Sequence, residues 1–311
     1  MKKVQFFIDD VIWLMRDLTR QHPESLFDHP FLAILKKAHE EYDVKVQLNL
    51  FYSTSPKYGN DSFTLPEMTD AYRSEWESAS DWLKLAFHAY AEFPDFPYVN
   101  ADYDTVRSHY KMITDEIKRF AGEKSLACGI VPHWAPISRD GVRALRDSGA
   151  VITYATYGEK HHAAEDLSDV PKQHLERFLE NRRPETMLFT RRYENLTVYN
   201  TICAYNHITE KQYNEIFDNT GTVLDKETGM RFKNSAQLVL NSTKLDDLPT
   251  ELTKLCGREF MIIGNHEQYF HSDYHAYQPD YAEKIYTMGR ILKDAGYEYI
   301  FMEELASEDV L

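Results

Sequence analysis

The sequence predicts a parallel α/β barrel, and three observations support this fold class. Strand-like and helix-like segments alternate from the N-terminus to residue 154, which is typical of βαβ units around a parallel sheet. Four of the expected strands end in ionisable side chains, as the strands of such barrels do at an active site. The length of 311 residues is one at which α/β barrels form as one domain. We therefore expect residues 1–311 to be a single barrel domain.

The expected elements follow from hydrophobic periodicity and from end signals. The expected strands are residues 4–8, 44–52, 82–87, 127–131, 151–154, 260–263 and 297–302. The expected helices are residues 11–18, 30–42, 102–121, 139–148 and 280–295. Asp102 or Asp104 is a plausible N-cap for one helix, and Gly149 a plausible stop for another.

The alternation weakens between about residues 157 and 255. Residues 186–205 contain β-prone runs without clear helices between them, and residues 222–233 contain a turn-rich stretch that predicts a hairpin. No Pro/Gly/Ser linker brackets this part of the chain. We interpret 157–255 as a β-rich elaboration or insertion of the barrel, with residues 186–233 over its mouth.

Composition narrows the classes of partner and compartment. A formal net charge of -15 disfavours nucleic acid and anionic membrane surfaces, and it suits a neutral or cationic small molecule. Cys128, Cys203 and Cys256 are odd in number and lack metal-binding spacing, which suggests reduced thiols. The short apolar run at residues 4–8 lacks the features of a signal peptide, so we expect a cytoplasmic protein. The sequence leaves open whether the chain forms a homo-oligomer.

The candidate site consists of side chains at the ends of four expected strands. These are Asp9 and Asp10, His88, His133 and His266. Adjacent aspartates can divide two roles, since one can bind a cation while the other faces a substrate or a water. His88 and Glu92 are four residues apart, which on a helical turn would let both bind one divalent ion together with an Asp.

His266 follows the expected strand 260–263, across the barrel mouth from the aspartates, where a general acid would be needed. Glu267 comes next in the chain, whereas His271 and His275 match no common zinc spacing and are interpreted as loop residues. Residues near these positions could contact a substrate, and three of them could form an apolar wall for a sugar. The wall residues are Tyr90, Trp134 and Tyr269.

Four segments in this order resemble the motifs of the NodB-like polysaccharide deacetylases. The segments are FFIDD, HAYAEFP, IVPHWAPIS and IIGNHEQYF. The resemblance covers residues 4–154 and 260–305 and implies a distorted (β/α) barrel that uses a divalent metal to remove N- or O-acetyl groups from sugars. It implies that Asp9 is the catalytic base, that His266 is the catalytic acid, and that Asp10, His88 and Glu92 bind the metal.

The chain departs from this family's pattern at three positions. Val11 stands in place of the usual glycine, Glu92 in place of the second metal histidine, and Val131 in place of the arginine that orients the base. His133 or Trp134 could help to line the site. A glutamate ligand in place of a histidine would favour Mn, Mg or Fe over zinc. The identity of the ion is left open among Zn, Mn, Fe, Co and Ni.

These observations predict metal-assisted hydrolysis of an acyl amide or ester, with a small acetylated sugar or another small amide as substrate. The expected substrate-binding residues are Tyr90, His133, Trp134, Glu267 and Tyr269. Two alternatives remain open at this point. One is a catalytically degenerate barrel that binds carbohydrate or regulates another protein. The other is a glycosidase that pairs Asp9 or Asp10 with Glu92 or Glu267.

Overall fold

The fold is that of a computed structural model, which describes residues 2–58, 61–94, 97–98, 101–135, 137–154, 159–160, 188–193, 196–201, 219–226, 228–233 and 236–308. The strands are β1 (Lys2–Val11), β2 (Val46–Phe51), β3 (Leu83–Ala89), β4 (Gly129–Ile130), β5 (Ile152–Tyr154), β6 (Glu159–Lys160), β7 (Leu188–Tyr193), β8 (Leu196–Thr201), β9 (Val223–Leu224), β10 (Arg231–Lys233), β11 (Leu238–Val239), β12 (Phe260–His266) and β13 (Tyr297–Tyr299). The helices are α1 (Trp13–Gln21), α2 (Pro30–Tyr42), α3 (Arg73–Ser78), α4 (Tyr103–Phe120), α5 (Arg139–Asp147), α6 (Leu248–Leu255) and α7 (Tyr281–Asp294).

The strands form one mostly parallel arc with helices on its outer side. The first sheet has the order β11-β12-β1-β2-β3, and β13 pairs with the beginning of β1. A parallel bridge between Leu85 and Leu126 joins β3 to the segment that leads into β4. The second sheet has the order β4-β5-β10-β9, in which only the β9–β10 pair is antiparallel. The six strands expected up to residue 263 all lie in this arc, so the predicted barrel-type fold is confirmed.

The strands of the arc are buried on both faces, as is usual for parallel sheets covered by helices. On β1, Phe6 and Ile8 point outward and join the large apolar cluster beneath the helices. Phe7 lies between them in sequence and points inward, where it packs with Tyr154 and Ile262 in a smaller cluster. The pleat therefore separates the helix-facing core from the inside of the barrel, and Asp9 continues the inward set.

Helix ends agree closely with their sequence signals. α2 begins at Pro30, and the Asp102 side chain caps α4 by accepting from the Thr105 backbone N–H. Several expected boundaries differ from the structure by two or three residues; the strand expected at residues 260–263, for example, continues to His266. β1 continues to Val11, so the helix expected at residues 11–18 begins at Trp13. The last strand ends at Tyr299, since a short 3₁₀ helix occupies Met302–Ser307.

The segment 157–255 contains the expected hairpin, because β9 and β10 pair antiparallel across a turn with Gly229 at a φ of 72°. However, β10 also pairs in parallel with β5, and β11 pairs in parallel with β12. These strands therefore belong to the barrel sheets. β6, β7 and β8 form a separate antiparallel sheet. The expected position of residues 186–233 over the barrel mouth stays a prediction, since residues 186–187, 194–195, 202–218 and 227 lie outside the described part of the chain.

No helix among these described residues is long and apolar enough to cross a lipid bilayer.

Candidate metal centre

The two adjacent aspartates reach the same mouth of the barrel because β1 is irregular at its end. Successive side chains of a regular strand point to opposite faces. The pairing of β1 with β2 shifts register between Ile8 and Val11, and Asp10 has a φ of 65°, in the left-handed region. Such irregularities re-aim side chains next to functional sites. Asp9 is the register partner of His266 across the β1–β12 pair.

Three ligand-type atoms converge beside this irregularity. His88 Nε2 lies 3.1 Å from Asp10 Oδ1, and His133 Nδ1 lies 3.3 Å from the same oxygen. The two imidazole nitrogens are 3.0 Å apart. All three side chains are buried, and together they form a group with the geometry to hold a metal ion.

Backbone carbonyls fix which nitrogen of each imidazole carries its hydrogen. His88 Nδ1 lies 2.6 Å from the Val131 carbonyl oxygen, and His133 Nε2 lies 3.1 Å from the Glu92 carbonyl oxygen. A carbonyl oxygen can only accept, so each of these nitrogens donates. In the neutral rings the inward nitrogens then hold lone pairs, and both point toward the Asp10 carboxylate. Three acceptors at this separation require a shared cation.

The residues present fit a divalent metal as that cation. Nitrogen and oxygen ligands at about 2.0–2.1 Å from one ion stand about 3.0–3.4 Å from each other in tetrahedral or octahedral geometry, which the three separations match. Metal-binding histidines usually donate their other N–H to a carbonyl or carboxylate, as both do in this site. Two imidazoles and one carboxylate suit zinc, iron, cobalt, manganese or nickel.

The charges of the group are consistent with one shared positive charge. Burial by itself raises the pKa of Asp10, but its contacts with His133 and His88 outweigh that effect and hold it well below the usual range. Burial lowers the pKa of His133, yet the hydrogen bond and charge of Asp10 raise it overall. Burial lowers the pKa of His88. Without a metal, His133 is therefore the imidazole that takes up a proton.

His133, and not Glu92, supplies the third ligand-type atom of this group. Residues 88–92 do not form a helical turn, because β3 continues to Ala89 and a bend follows. The Glu92 carboxylate accepts from Gln268 Nε2 at 3.2 Å, and its backbone oxygen accepts from His133 Nε2 at 3.1 Å. The helical turn on which Glu92 was paired with His88 is thus absent, and His133 places a ligand-type atom beside Asp10 and His88.

Asp9 lies at the inner edge of the group. Its Oδ1 accepts from Asn49 Nδ2 at 2.6 Å and lies 3.7 Å from His88 Nδ1. Burial, and then the charge of Asp10, raise the pKa of Asp9 well above its usual range, while the hydrogen bond from Asn49 opposes this rise. Such a carboxyl group has the elevated basicity that a general base needs.

His266 is partly exposed at the end of β12. Its Nδ1 lies 2.8 Å from Asn241 Oδ1 and donates to it, which leaves Nε2 for a reacting group. Burial lowers the pKa of His266. The Tyr269 ring centroid lies 6.2 Å from that of His266.

Glu267 has a structural role in this fold. Its side chain is 0% exposed, and its carboxylate accepts the backbone N–H groups of residues 12, 13 and 14 at 2.5–3.0 Å. These N–H groups begin α1, which has no side-chain cap of its own. Glu267 therefore caps α1 and joins the loop after Asp10 to the loop after His266.

Two of the expected wall residues are exposed aromatic rings. Tyr90 is 40% exposed and stacks on Tyr52, with ring centroids 5.2 Å apart. Trp134 is 38% exposed and has a φ of 62°, which directs the chain sharply after His133. Its ring contacts the His133 ring edge to face at 5.8 Å.

Sequence reasoning missed four polar residues that hold the site together. They are Gln47, Asn49, Asn241 and Gln268. A signal was present for the first two, because they are the polar positions in the alternating run of β2 and therefore share its inward face. Asn241 and Gln268 lie in short 3₁₀ segments, whose side-chain directions no periodicity reveals.

No family model and no curated protein sequence matches the chain. Several solved structures do. The 4-alpha-glucanotransferase of Thermococcus litoralis has a TM-score of 0.55 at 10% identity and covers 99% of this chain and 40% of that one. The Xyl-CE4 domain of a multidomain xylanase from the hindgut metagenome of Trinervitermes trinervoides has a TM-score of 0.45 at 12% identity, with 98% of this chain and 89% of that chain covered. A CE4 family pseudoenzyme from Bacillus anthracis has a TM-score of 0.47 at 12% identity, with 100% and 67% covered.

At 10–12% sequence identity, a structural likeness shows the fold alone. The parallel order of the strands and the polar group at their ends agree with the motifs quoted above. The chain therefore has a mostly parallel α/β fold with helices around its central sheet, and its likeness to polysaccharide deacetylases rests on the motifs quoted above.

Proposed function

We propose that the protein is a metal-dependent hydrolase that removes an acyl group, such as acetyl, from a sugar or another small amide or ester. One observation carries this proposal. The inward lone pairs of His88 and His133 converge on the Asp10 carboxylate and require a cation between them. A divalent ion bound there would polarise the substrate carbonyl and lower the pKa of a bound water.

The residues around the ion have the chemistry that the remaining steps need. Asp9 is a carboxylate of raised pKa beside the group, and in this proposal it removes the proton from the attacking water. Asn49 holds one oxygen of that carboxylate and leaves the other for the water. Asp9 and Asn49 are both buried in the barrel interior, so bulk water has little access to the base.

His266 in this proposal protonates the leaving nitrogen or oxygen through Nε2, because Asn241 occupies Nδ1. The lowered pKa of His266 means that the proton is readily given up to the leaving group. The imidazole lies across the β1–β12 pair from Asp9, so that base and acid flank the same mouth.

A sugar is the substrate class that the surroundings favour. The exposed ring of Trp134 contacts His133, and the exposed ring of Tyr90 follows His88 by two residues; both offer apolar surfaces of the kind against which pyranose faces pack. A crevice of about 10 Å³ beside Asp10 and Gln268 has room for one water-sized group. The net charge of -15 favours a neutral or cationic substrate over a phosphorylated one. A glycosidase that uses Glu267 is disfavoured, since three backbone N–H groups occupy that carboxylate.

The experiment is to strip the protein with a chelator, reload it with Zn²⁺, Co²⁺ or Mn²⁺, and measure acetate release from N-acetylglucosamine oligomers and from acetylated xylo-oligosaccharides. We expect turnover only in the reloaded protein, and His266→Asn should lower it about 10²–10⁴-fold while metal remains bound. Metal binding without any acetate release would contradict the hydrolase and leave a carbohydrate-binding barrel.

A further inference from the structure

A chain of two side-chain amides runs through the barrel interior and ends on Asp9. Gln47 Nε2 donates to the Gly129 carbonyl oxygen at 3.0 Å and to Asn49 Oδ1 at 2.8 Å. Asn49 Nδ2 donates to Asp9 Oδ1 at 2.6 Å. Gln47 and Asn49 are both fully buried, so this chain is isolated from solvent.

The direction of the chain is set at its far end by β4. The Gly129 carbonyl can only accept, which forces the amino end of Gln47 toward it. The same amino group bonds to the carbonyl end of Asn49, so the amino end of Asn49 faces Asp9. A flip of either amide would bring two acceptors or two donors into contact in a buried space. Each group left without a partner would then cost its full desolvation penalty.

The pleat of β2 explains why these two residues cooperate. Gln47 and Asn49 are two residues apart on one strand, so their side chains project into the barrel on the same face. β2 pairs with β1 on one side and with β3 on the other, which places this face directly beneath the strand end that carries Asp9.

No Arg or Lys among the described residues contacts the Asp9 carboxylate. The motif resemblance implies an arginine that orients the base, but Val131 stands at that position. The Val131 backbone carbonyl instead fixes the ring of His88. The orienting donor for Asp9 has to come from elsewhere, and the hydrogen bond from Asn49 is short and charge-assisted.

We propose that Asn49 is the positioning residue of Asp9, and that Gln47, anchored on the Gly129 carbonyl, locks the amide of Asn49 in the donating orientation. This inference rests on the proposed function of Asp9 as a general base. Among the described residues, the Asn49 side chain has hydrogen bonds to Gln47 and Asp9 and none to Asp10, His88 or His133, so it acts on the site through Asp9.

The test uses the full chain loaded with Zn²⁺ and compares Asn49→Leu and Gln47→Met with a matched control, Gln5→Met. Gln5 is a buried amide of the same barrel interior, and it bonds to Tyr154 instead of Asp9. With 4-nitrophenyl acetate as the probe, we expect Asn49→Leu to lower kcat about 10- to 100-fold, with KM and zinc content unchanged. Gln47→Met should give a smaller loss of the same kind, and Gln5→Met none.

A second readout does not need turnover. The side-chain amide pair of Asn49, identified in an ¹⁵N–¹H spectrum by its loss in Asn49→Leu, should shift in Asp9→Ala and also in Gln47→Met. The inference is overturned if the Asn49 signals are the same in wild type and Asp9→Ala, or if Asn49→Leu retains kcat or loses zinc. If the zinc-loaded wild type shows no turnover, the hydrolase proposal fails, and the spectrum alone then decides whether Asn49 holds Asp9.

Discussion

His133 Nδ1 lies 3.0 Å from His88 Nε2, although 45 residues separate the two histidines in the chain. Both nitrogens point at the Asp10 carboxylate, and both rings donate their other N–H to a backbone carbonyl. The group therefore holds one cation in either of two ways. A metal ion can lie between the three atoms, or a proton can reside on His133, whose pKa is raised.

Metal and proton should consequently compete for this group. His133 must be neutral to bind metal, and its raised pKa means that it keeps the proton to a higher pH than an ordinary histidine. We expect zinc affinity to fall about tenfold per pH unit below that pKa and to level off above it. Calorimetry in buffers of different ionisation enthalpy should show release of one proton per zinc in the acidic range. Zinc affinity that does not change with pH there would be inconsistent with His133 as a ligand.

Loss of the Glu267 carboxylate should destabilise the fold strongly. In Glu267→Ala, three buried backbone N–H groups at the beginning of α1 lose their common acceptor. We expect the free energy of unfolding to fall by about 3 kcal/mol or more, as measured by denaturant titration of the metal-free protein.

The matched control is Glu251→Ala on α6, where an exposed Glu251 pairs only with Lys254 among the described residues. Removal of such a surface pair should change the free energy of unfolding by less than about 1 kcal/mol. Equal effects of the two substitutions would show that Glu267 is not the cap of α1.

Buried Lys233 should make the free energy of unfolding rise with pH under alkaline conditions. It is buried on β10, donates to the backbone oxygens of Asn219 and Gly221, and lies over the Phe260 ring. Burial lowers its pKa from 10.5 to about 7. Between these values the unfolded chain binds a proton that the folded chain does not, so stability rises with pH across this window.

The measurement is the pH dependence of unfolding for wild type and Lys233→Met. The wild type should gain up to about 1.4 kcal/mol per pH unit, relative to the variant, between pH 7 and pH 10.5. Lys254→Met, which alters an exposed lysine on α6, should keep the wild-type slope. Parallel curves for wild type and Lys233→Met would mean that Lys233 is protonated throughout.

The sequence predicted the architecture because hydrophobic periodicity is a local property. The alternation of residues 44–52 and the apolar run that ends at Asp9 each identify a strand without reference to the rest of the chain. Strand ends then predict a common edge, since parallel strands bring their carboxyl ends together. Asp9, Asp10, His88, His133 and His266 lie at that edge for this reason.

Local reasoning could not identify which of these side chains touch. The spacing of His88 and Glu92 suggested one helical face, but the chain leaves β3 in an extended bend. The contact between His88 and His133 depends on how β3 and β4 lie against each other, and the ring orientation of His88 depends on the Val131 carbonyl. The role of Glu267 likewise depends on helix α1, more than 250 residues earlier in the chain.

The most direct test of the metal centre is the metal content of four variants after identical loading with Zn²⁺ and gel filtration. We expect one zinc per chain for wild type and for Glu92→Gln, and loss of zinc from Asp10→Ala, His88→Ala and His133→Ala. A correctly folded His133→Ala that keeps its zinc, together with a Glu92→Gln that loses it, would show that Asp10, His88 and His133 do not form the site.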